Sequence, residues 1–426
     1  MTAKTYFILA AFSLASCSIE ETYKTIDQPI TKESVNTIRS YEEALDIAKK
    51  SISLLDDPNI TRGISNKRKI NLNEISIYKQ DIKTRSNSQY SNDTLIYVFN
   101  FENEEGFALV SASKNTEELL AVTEKGHCDV DKSSGIEGFD MFIEAAKTYV
   151  ANAAITSINE PIDIPINIRI ETIYDIHQYV SPKVNVKWGQ NYTLGDFCNN
   201  HNAGCVNVAL AQIMSYYQHP QSIIINYNGS NNTQQLNWNY IKNHQDHYSN
   251  TPCNYPEAHT AIANLARQLG ELNNSNYNYN NYTYTIINPF KGSPVDSTIV
   301  SLGYTNKFYD SYSDNIIRKE LDSNHLIMVN GWTTSNDGHT WIIDGYKYDS
   351  VLEYCYKQIG NGPEFLYETI DYTRHVNHIN WGWNGYNNGY FSGGVFDTMN
   401  GTSYDQGTHS GLNNNYTTIN LVSIYH

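Results

Sequence analysis

The sequence is poor in positive charge and in long hydrophobic runs, and each shortage excludes a class of protein. Lysine and arginine total 29 against 45 aspartate and glutamate residues, so the formal net charge is −16. This balance would repel phosphates, which argues against nucleic acid as the main partner. Beyond the N-terminal segment, no apolar run approaches the roughly 18 residues of a membrane-spanning helix. Apolar residues still make up 40% of the chain, enough for a sizeable packed core.

The N-terminal segment has the pattern of an export signal. Lys4 supplies a positive charge, and the apolar stretch after it is too short for a membrane span. Residues 1–16 are therefore predicted to be a signal peptide. The segment ends in the letters LASC, at Cys17, and resembles the lipobox of bacterial lipoproteins, whose cysteine is lipidated after cleavage. An ordinary signal peptide with a chance cysteine is the alternative.

The lipobox resemblance predicts where the protein is found. It implies an exported lipoprotein on the outer membrane or cell surface of a Gram-negative bacterium. Contact with the membrane would be through the lipid on Cys17 alone, and release of the mature protein in soluble form is a second option.

Six cysteines are present: Cys17, Cys128, Cys198, Cys205, Cys253 and Cys355. Lipidation of Cys17 would leave five in an oxidising compartment, and an odd number leaves at least one thiol unpaired. The count permits a free functional thiol without fixing any disulfide pairing.

The chain is long enough for two or three folded units. Residues 17–39 are polar and are predicted to be a tether. The first unit, predicted over residues 40–165, begins with a helical stripe of apolar residues after Ser40. Two alternating stretches, TLIYVFNF and GFALVSAS, then predict a β-hairpin, and GFDMFIEAAKTYVANAA predicts a helix. No convergent set of polar residues is found in this unit.

The second unit is predicted over residues 175–426 and opens with a strongly patterned helix. In AGCVNVALAQIMSYYQHP (residues 203–220), apolar residues recur at helical spacing until Pro220. A second helix is predicted over residues 259–272, and the asparagine- and tyrosine-rich residues 273–284 are expected to form an exposed loop. Three strand-like runs follow, namely LIMVNGW, HTWIIDGYKY and HINWGWNGYNNGYF. Helices that precede strands indicate an α+β fold.

Cys205 is the first candidate for chemistry, because it stands at the first turn of the predicted helix. The partial positive charge of a helix N-terminus favours the thiolate, which is the attacking form of cysteine. Gly204 before it allows close approach of a substrate or a backbone. A small buried cysteine is the plainer alternative. A metal site formed by Cys198, His201 and Cys205 is a third, but no fourth ligand is evident for the closed set that zinc needs.

His339 is the candidate partner of this thiol. It follows Gly338 in SNDGHTWIIDGY, at the start of an apolar strand that would hold the imidazole rigidly for general acid–base catalysis. A structural histidine is the alternative. A cysteine and a histidine far apart in sequence are typical of thiol hydrolases, in which the pair meets only in the folded protein. Gln190, in VKWGQNY, could donate its amide to a developing oxyanion beside the backbone N–H of Cys205.

Three residues of HVNHINWGWNGYNNGYF complete the candidate set. Asn380 could hydrogen-bond to the imidazole and fix its tautomer. Trp381 and Trp383 could shield that hydrogen bond from water, or could simply fill core space.

Together these stretches resemble the streptopain family of cysteine peptidases, secreted bacterial enzymes with a papain-like fold. The resemblance rests on AGCVNVALAQIMSYYQHP, GHTWIIDGY and HINWGWNGYNNGYF in that order and spacing, with WGQNY ahead of them. The first unit, above all IYVFNFENEEGFALVSASKNTEELLAVTEKG, is similar to the family's propeptide. The resemblance covers most of residues 40–395. It implies a papain-like peptidase domain preceded by a smaller α+β propeptide domain.

The resemblance also implies a function. The chain would be the zymogen of an endopeptidase that hydrolyses proteins or peptides without a metal or organic cofactor. Cys205 would be the nucleophile and His339 the proton acceptor and donor. Gln190 would line the oxyanion hole, and Asn380 would be the partner of the histidine. The propeptide would act as an intramolecular inhibitor and would be removed by a cut within about residues 150–180.

Gly338, Trp381 and Trp383 are implied to border the substrate. Subsite preference does not transfer, because a cleft loop that is rich in serine and glycine in the family is rich in asparagine and tyrosine here. Residues 347–376 form a longer stretch than the family pattern has, and are predicted to be a lid or an exposed excursion. A catalytically weak, peptide-binding homologue of the same fold is the alternative function.

Overall fold

A computed structural model describes most of the chain, and all structural statements concern this part. The described residues are 38–55, 68–83, 90–157, 167–191, 193–227, 229–243, 256–279, 282–285, 292–333, 338–358, 363–396 and 416–426. The predicted signal peptide, Cys17, Cys253 and nearly all of the predicted tether lie outside them. No helix within the described ranges is long and apolar enough to cross a membrane.

Seven α-helices form within the described residues. They are α1 (Tyr41–Ser51), α2 (Glu137–Ser157), α3 (Cys205–Tyr217), α4 (Trp238–Asn243), α5 (Pro256–Leu272), α6 (Pro294–Ser301) and α7 (Asp314–Asp322). A capping box starts α1: the Ser40 hydroxyl accepts from the backbone N–H of Glu43, whose carboxylate accepts from the N–H of Ser40. The helix predicted from AGCVNVALAQIMSYY is α3, and it begins at Cys205 itself.

Fifteen strands form within the same residues. They are β1 (Ile70–Lys83), β2 (Tyr90–Phe101), β3 (Phe107–Ser111), β4 (Leu119–Thr123), β5 (Asn167–Val180), β6 (Ser222–Tyr227), β7 (Ser230–Gln235), β8 (Asn276–Tyr279), β9 (Tyr282–Tyr284), β10 (Thr305–Tyr309), β11 (Leu326–Thr333), β12 (Gly338–Gln358), β13 (Phe365–Asn380), β14 (Gly389–Ser392) and β15 (Tyr416–Tyr425). The predicted hairpin of the first unit is β2 and β3. Helices and antiparallel strands in both units confirm the α+β fold.

One sheet runs through both units. Its order is β1-β2-β3-β4-β14-β13-β12-β11-β15-β10, and β5 pairs with β12 beyond the end of β11. The first unit joins the second where β4 pairs with β14, with Val122 opposite Tyr390. α1 packs on one face of the first unit's strands around Phe99 and Val110. α2 and α3 belong to the main core, on the opposite face.

Residues 273–284 differ from the expected loop, and residues 347–376, predicted to be a lid or an exposed excursion, contain strands. Residues 273–284 contain the short hairpin β8–β9, and Thr283 of β9 donates to Asn200 Oδ1 at 3.1 Å, next to the start of α3. Within 347–376, residues 347–358 and 365–376 are the paired continuation of β12 and β13. The outer edge of this strand pair is covered by β5, in antiparallel register from Tyr346 opposite Val180 outward. Residues 167–180 are therefore part of the same sheet as β12.

Candidate active site

Cys205 lies half-buried at the N-terminus of α3. Gly204 precedes it with φ +84° and ψ 144°, a backbone conformation that only glycine adopts without strain. A Cβ at this position would lie 2.9 Å from Cγ2 of Thr283, so the turn has no room for a side chain. Residues 206–215 are all buried and fix the helix against the sheet. The thiol is thus held rigidly at the positive end of a helix dipole.

His339 meets Cys205 in the fold. It is the second residue of β12 and lies opposite Gly331 of β11, with 1% of its surface exposed. Burial on its own would lower the pKa of His339. The charge and hydrogen bond of the Cys205 side chain, joined by those of Glu137, outweigh burial and raise the pKa to about 10. The imidazole is therefore protonated at neutral pH in this state and is suited to pair with a thiolate.

The backbone carbonyl of Trp381 fixes the other side of the imidazole. Nε2 of His339 lies 3.3 Å from this oxygen, which accepts a hydrogen bond from the protonated ring. The Trp381 indole is fully buried, with ring centroids 5.2 Å from Trp341 and 5.3 Å from Phe391. Trp381 therefore contributes both a hydrogen-bond acceptor and an apolar wall.

Gln190 lies beside the loop that leads to the nucleophile. It is 6% exposed, and its backbone carbonyl accepts a 2.7 Å hydrogen bond from the N–H of Ala203. Ala203 stands two residues before Cys205. This contact brings the Gln190 segment to the helix N-terminus, where an oxyanion hole would have to form.

Asn380 is buried at the end of β13, and its hydrogen bonds lead away from the imidazole. Its Oδ1 accepts from Nε2 of Gln212 at 3.2 Å and from the N–H of Gly382 at 3.1 Å. The sequence predicts a bond between Asn380 and His339, whereas the nearest partner of the ring nitrogen is the next residue's carbonyl. Asn380 thus holds the peptide unit between Trp381 and Gly382 through its N–H.

The remaining candidates lie at the rim of the site or away from it. Gly338 is exposed at the start of β12, and a Cβ there would lie 2.8 Å from Cδ1 of Trp332. Trp383 is half-buried and packs against the main core. Cys128, Cys198 and Cys205 are free thiols. In the described part of the chain, no group of three or more histidine, cysteine, aspartate or glutamate side chains could hold a metal ion.

The first turn of α2 covers the site. Oε2 of Glu137 lies 3.5 Å from Nδ1 of His339. A Cβ on Gly138 would lie 2.4 Å from Cδ2 of His339 and 2.8 Å from Cε3 of Trp381, so the helix backbone rests directly on both rings. Phe139 adds an edge contact with the Trp381 ring, with centroids 6.3 Å apart. This cover accounts for the burial of His339.

Two family models match the chain, one on each side of β5. Residues 187–391 match the Peptidase C10 family. The chain carries a peptidase C10 domain. Residues 27–150 match the Spi protease inhibitor model, so an inhibitor-type domain precedes it.

Two sequence relatives, streptopain and PrtT, agree with this assignment. Streptopain of Streptococcus pyogenes is 25% identical over 372 residues, which cover 75% of this chain and 78% of streptopain. The thiol protease/hemagglutinin PrtT of Porphyromonas gingivalis is 24% identical over 328 residues, or 70% of this chain and 34% of PrtT. A solved fragment of Prevotella intermedia prointerpain A matches 82% of this chain and 98% of its own, with 19% identity and a TM-score of 0.48. The predicted resemblance to the streptopain family is confirmed by the two domain matches and by the similarity to streptopain.

A charge cluster, buried at His378 and Asp344 and partly exposed at Glu124 and Lys187, forms a second contact between the inhibitor and C10 domains. Nδ1 of His378 lies 2.6 Å from Asp344, and its Nε2 lies 3.5 Å from Glu124 of the inhibitor domain. The Lys187 ammonium donates to the same Glu124 carboxylate at 3.1 Å. Opposite charges from the two domains thus meet at one site.

The pKa values of His378 and Glu124 in this cluster are both shifted from their ordinary values. Burial would lower the pKa of His378, but Asp344 and Glu124 raise it to about 9. Burial would raise the pKa of Glu124, but its bonds and charge contacts with His378 and Lys187 lower it to about 2. Each group therefore favours the charged form of the other.

Backbone hydrogen bonds extend this contact toward the active site. The N–H of Glu124 donates to the carbonyl of Asn388 at 2.8 Å, and the N–H of Asn387 donates to the carbonyl of Lys125 at 3.0 Å. Asn388 in turn accepts from the N–H of Trp381 through its side-chain oxygen, at 3.1 Å. The inhibitor domain is therefore hydrogen-bonded to the loop that carries the Trp381 carbonyl, which accepts from His339.

Sequence reasoning missed the inhibitor-side residues of both contacts. One signal was available: Gly138 stands in the first turn of a helix, where glycine costs about 1 kcal/mol relative to alanine and often marks a close approach. Glu124 gave no such signal, because an acidic residue after a strand is ordinarily solvated.

Proposed function

We propose that the chain is the zymogen of a cysteine endopeptidase, with Cys205 as the nucleophile and His339 as the general acid and base. The observation that carries the proposal is the close approach of these two side chains at the N-terminus of α3. The imidazole is protonated at neutral pH, and the helix dipole favours negative charge on the sulfur. Both effects support a thiolate–imidazolium pair.

The proposed reaction follows from this pair. Cys205 gives its proton to His339, and the thiolate attacks the carbonyl carbon of the substrate. The oxyanion is stabilised by the Gln190 side-chain amide and the Cys205 backbone N–H. His339 passes the proton to the leaving amine as the C–N bond breaks, which leaves a thioester. Water, deprotonated by His339, then hydrolyses the thioester and the thiol regains its proton.

Substrate would enter along the rim of the C10 domain. Gly338 is exposed and has no side chain, so its backbone can pair with an extended peptide. Trp383 and the buried Trp381 would form the apolar side of the same region. The cover by Glu137 and Gly138 excludes such a peptide until the inhibitor domain leaves.

Activation would therefore require a cut between the two domains. α2 ends at Ser157 on the inhibitor side, whereas β5 begins at Asn167 and is paired along β12 of the peptidase sheet. A cut between these two residues would free α2 and leave β5 in place. This interval lies inside the range predicted from the sequence.

The test compares the chain from residue 18 onward with its Cys205→Ala variant. Both proteins are followed by mass spectrometry over time, and N-terminal sequencing locates any cut. Activity is measured on a denatured protein, and labelling of Cys205 by iodoacetamide is measured on the cut product. We expect only the wild type to shorten and to gain peptide-cleaving activity.

Two results would contradict the proposal. One is a wild-type chain that shows no peptide cleavage after its inhibitor domain has been removed by an external protease. The other is a Cys205 thiol that reacts no faster with iodoacetamide than free cysteine. Together they would favour a peptide-binding homologue that retains the fold without turnover.

The proposed location rests on the N-terminal sequence. Lys4, the apolar stretch after it and the letters LASC ending at Cys17 support export and lipidation. Mass spectrometry of the N-terminal peptide from the native host tests this, with Cys17→Ser as the control. An unmodified Cys17 would leave only an ordinary signal peptide.

A further inference from the structure

Gln212 is a buried polar residue that the proposed mechanism does not use. It lies on α3 two turns after Cys205, and only 1% of its surface is exposed. Its Oε1 has no hydrogen-bond partner among the described residues. A core amide that is only half satisfied costs stability, so packing alone does not explain this side chain.

The amide nitrogen of Gln212 joins two segments that reach the candidate active site. Its Nε2 donates to the backbone carbonyl of Trp188 and to Oδ1 of Asn380, both at 3.2 Å. Trp188 stands two residues before Gln190, and Asn380 directly precedes Trp381. One donor therefore links the α-helix of the nucleophile to the segments that carry the other two polar groups of the site.

Asn380 transmits this contact to the histidine. Its Oδ1 also accepts from the N–H of Gly382 at 3.1 Å, and its Nδ2 donates to the carbonyl of Val186 at 3.3 Å. The N–H of Gly382 belongs to the same peptide unit as the carbonyl of Trp381, so Asn380 holds that peptide unit. The carbonyl of Trp381 is the group 3.3 Å from Nε2 of His339.

We propose that Gln212 is a positioning residue for the reaction. It orients the Trp381 carbonyl through Asn380 and holds the segment of Gln190 through the carbonyl of Trp188. The inference rests on the proposed peptidase function.

The expected effect is on turnover rather than on substrate affinity. Without the Gln212 donor, Asn380 loses one of its hydrogen bonds. The Trp381 carbonyl is then less well oriented toward Nε2 of His339. A weaker bond to the imidazolium lowers the pKa of His339 and spoils its alignment for proton transfer. The rim residue Gly338 is untouched, so the KM for a peptide should change little.

The test uses the processed enzyme, cut at the same site as the wild type, with Gln212→Met. This variant keeps the shape of the side chain and removes the donor. Gln212→Leu is the second variant, because it also removes the donor with a buried apolar side chain. The control is Asn264→Leu, which removes a buried amide on α5 whose nitrogen donates to Oε1 of Gln234 at 3.0 Å. Rates are expressed per titrated thiol, so that unfolded protein does not count.

We expect kcat to fall about tenfold or more in both Gln212 variants with KM within about twofold, as for other residues that orient catalytic groups. In a plot of the Cys205 alkylation rate against pH, the basic limb should shift to lower pH, because the pKa of His339 falls. Asn264→Leu should change neither property. Combining Gln212→Met with Asn380→Leu should cost less than the product of the two separate losses, since both act through the same carbonyl.

The inference is overturned if either folded Gln212 variant keeps the wild-type kcat and alkylation profile. It is also overturned if the losses of Gln212→Met and Asn380→Leu simply multiply. These outcomes are distinct from failure of the proposed function, which would appear as a wild-type enzyme without peptidase activity.

Discussion

Glu137 and His339 lie 3.5 Å apart, carboxylate oxygen to ring nitrogen, across the boundary between the inhibitor and C10 domains. The two side chains differ sharply in environment, because 47% of the Glu137 side chain is exposed and none of the His339 side chain is. Solvent weakens an ion pair of this kind. The adjacent backbone of Gly138, which rests on the His339 and Trp381 rings, is therefore expected to contribute more to inhibition than the charge.

Replacing the charge should have a modest effect. In Glu137→Gln, the time to half-maximal processing of the full chain should shorten by about two- to fivefold, the equivalent of at most about 1 kcal/mol. Glu144→Gln is the control, since Glu144 lies on the same helix and pairs with Lys147 at 2.8 Å. Equal processing times for Glu137→Gln and the wild type would assign all of the inhibition to shape.

Adding a side chain at Gly138 should have a larger effect, and the sign of the change in unfolding free energy is informative. Alanine is favoured over glycine in a helix by about 1 kcal/mol, so an unobstructed Gly138→Ala would be stabilised. The Cβ would instead collide with two buried rings, and we expect the free energy of unfolding to fall by about 1–3 kcal/mol. The measurement is urea denaturation of the full chain in a Cys205→Ala background, which prevents processing. A gain in stability would mean that α2 does not rest on these rings.

The ion pair of His378 and Glu124 should make the free energy of unfolding of the full chain depend on pH. The pKa of His378 is raised to about 9, so its contribution is complete below its ordinary value of 6.5 and is lost as the pH rises through 9. The pKa of Glu124 is lowered from 4.5 to about 2, so its contribution is complete above 4.5 and is lost as the pH falls through 2. The contribution of the pair should therefore be greatest between these two ordinary values.

This is checked with His378→Gln in the Cys205→Ala background. The loss of unfolding free energy should be on the order of 1–3 kcal/mol near pH 6 and should shrink towards about pH 10. His259→Gln is the control, because the pair of His259 with Asp196 is partly exposed on both sides. A loss that is the same at every pH would show that His378 does not bind its partners as a cation.

The turn before the nucleophile gives a further prediction. Gly204 and Gly229 both have positive φ, +84° and +78°, but a Cβ meets Thr283 at the first position and nothing within 4 Å at the second. Gly204→Ala should lower the alkylation rate of Cys205 in the cut enzyme by about tenfold or more, because the thiol moves with the turn. Gly229→Ala should leave that rate unchanged. Similar rates for both variants would mean that the turn does not position the thiol.

The sequence was most informative where a side chain and its local pattern coincide. The apolar spacing after Cys205 predicts both the helix and the place of the thiol at its start, and the strand after His339 predicts a rigid imidazole. The partner of His339 was harder to predict, because it is a backbone carbonyl and any residue at position 381 carries one. Asn380 was the plausible side chain nearby, yet its bonds serve the surrounding backbone.

Contacts between distant segments were the least predictable part of the fold. Residues 167–180 have the β-branched composition of a strand, but nothing local says that they pair with the far half of β12. Glu124 is likewise an ordinary surface-type residue until β4 pairs with β14 and carries it to His378. Such contacts depend on which strands become neighbours, and that choice is made by the whole sheet.

The pairing of β4 with β14 has a consequence for the protein after activation. In the full chain, β14 is an interior strand with β13 on one side and β4 on the other. Loss of the inhibitor domain would turn it into an edge, with open N–H and C=O groups that invite pairing with other chains. Because β14 is only four residues long, from Gly389 to Ser392, the new edge is short. Brevity of this kind is a common protection against self-association, and it would let the enzyme shed four strands of its sheet and stay dispersed.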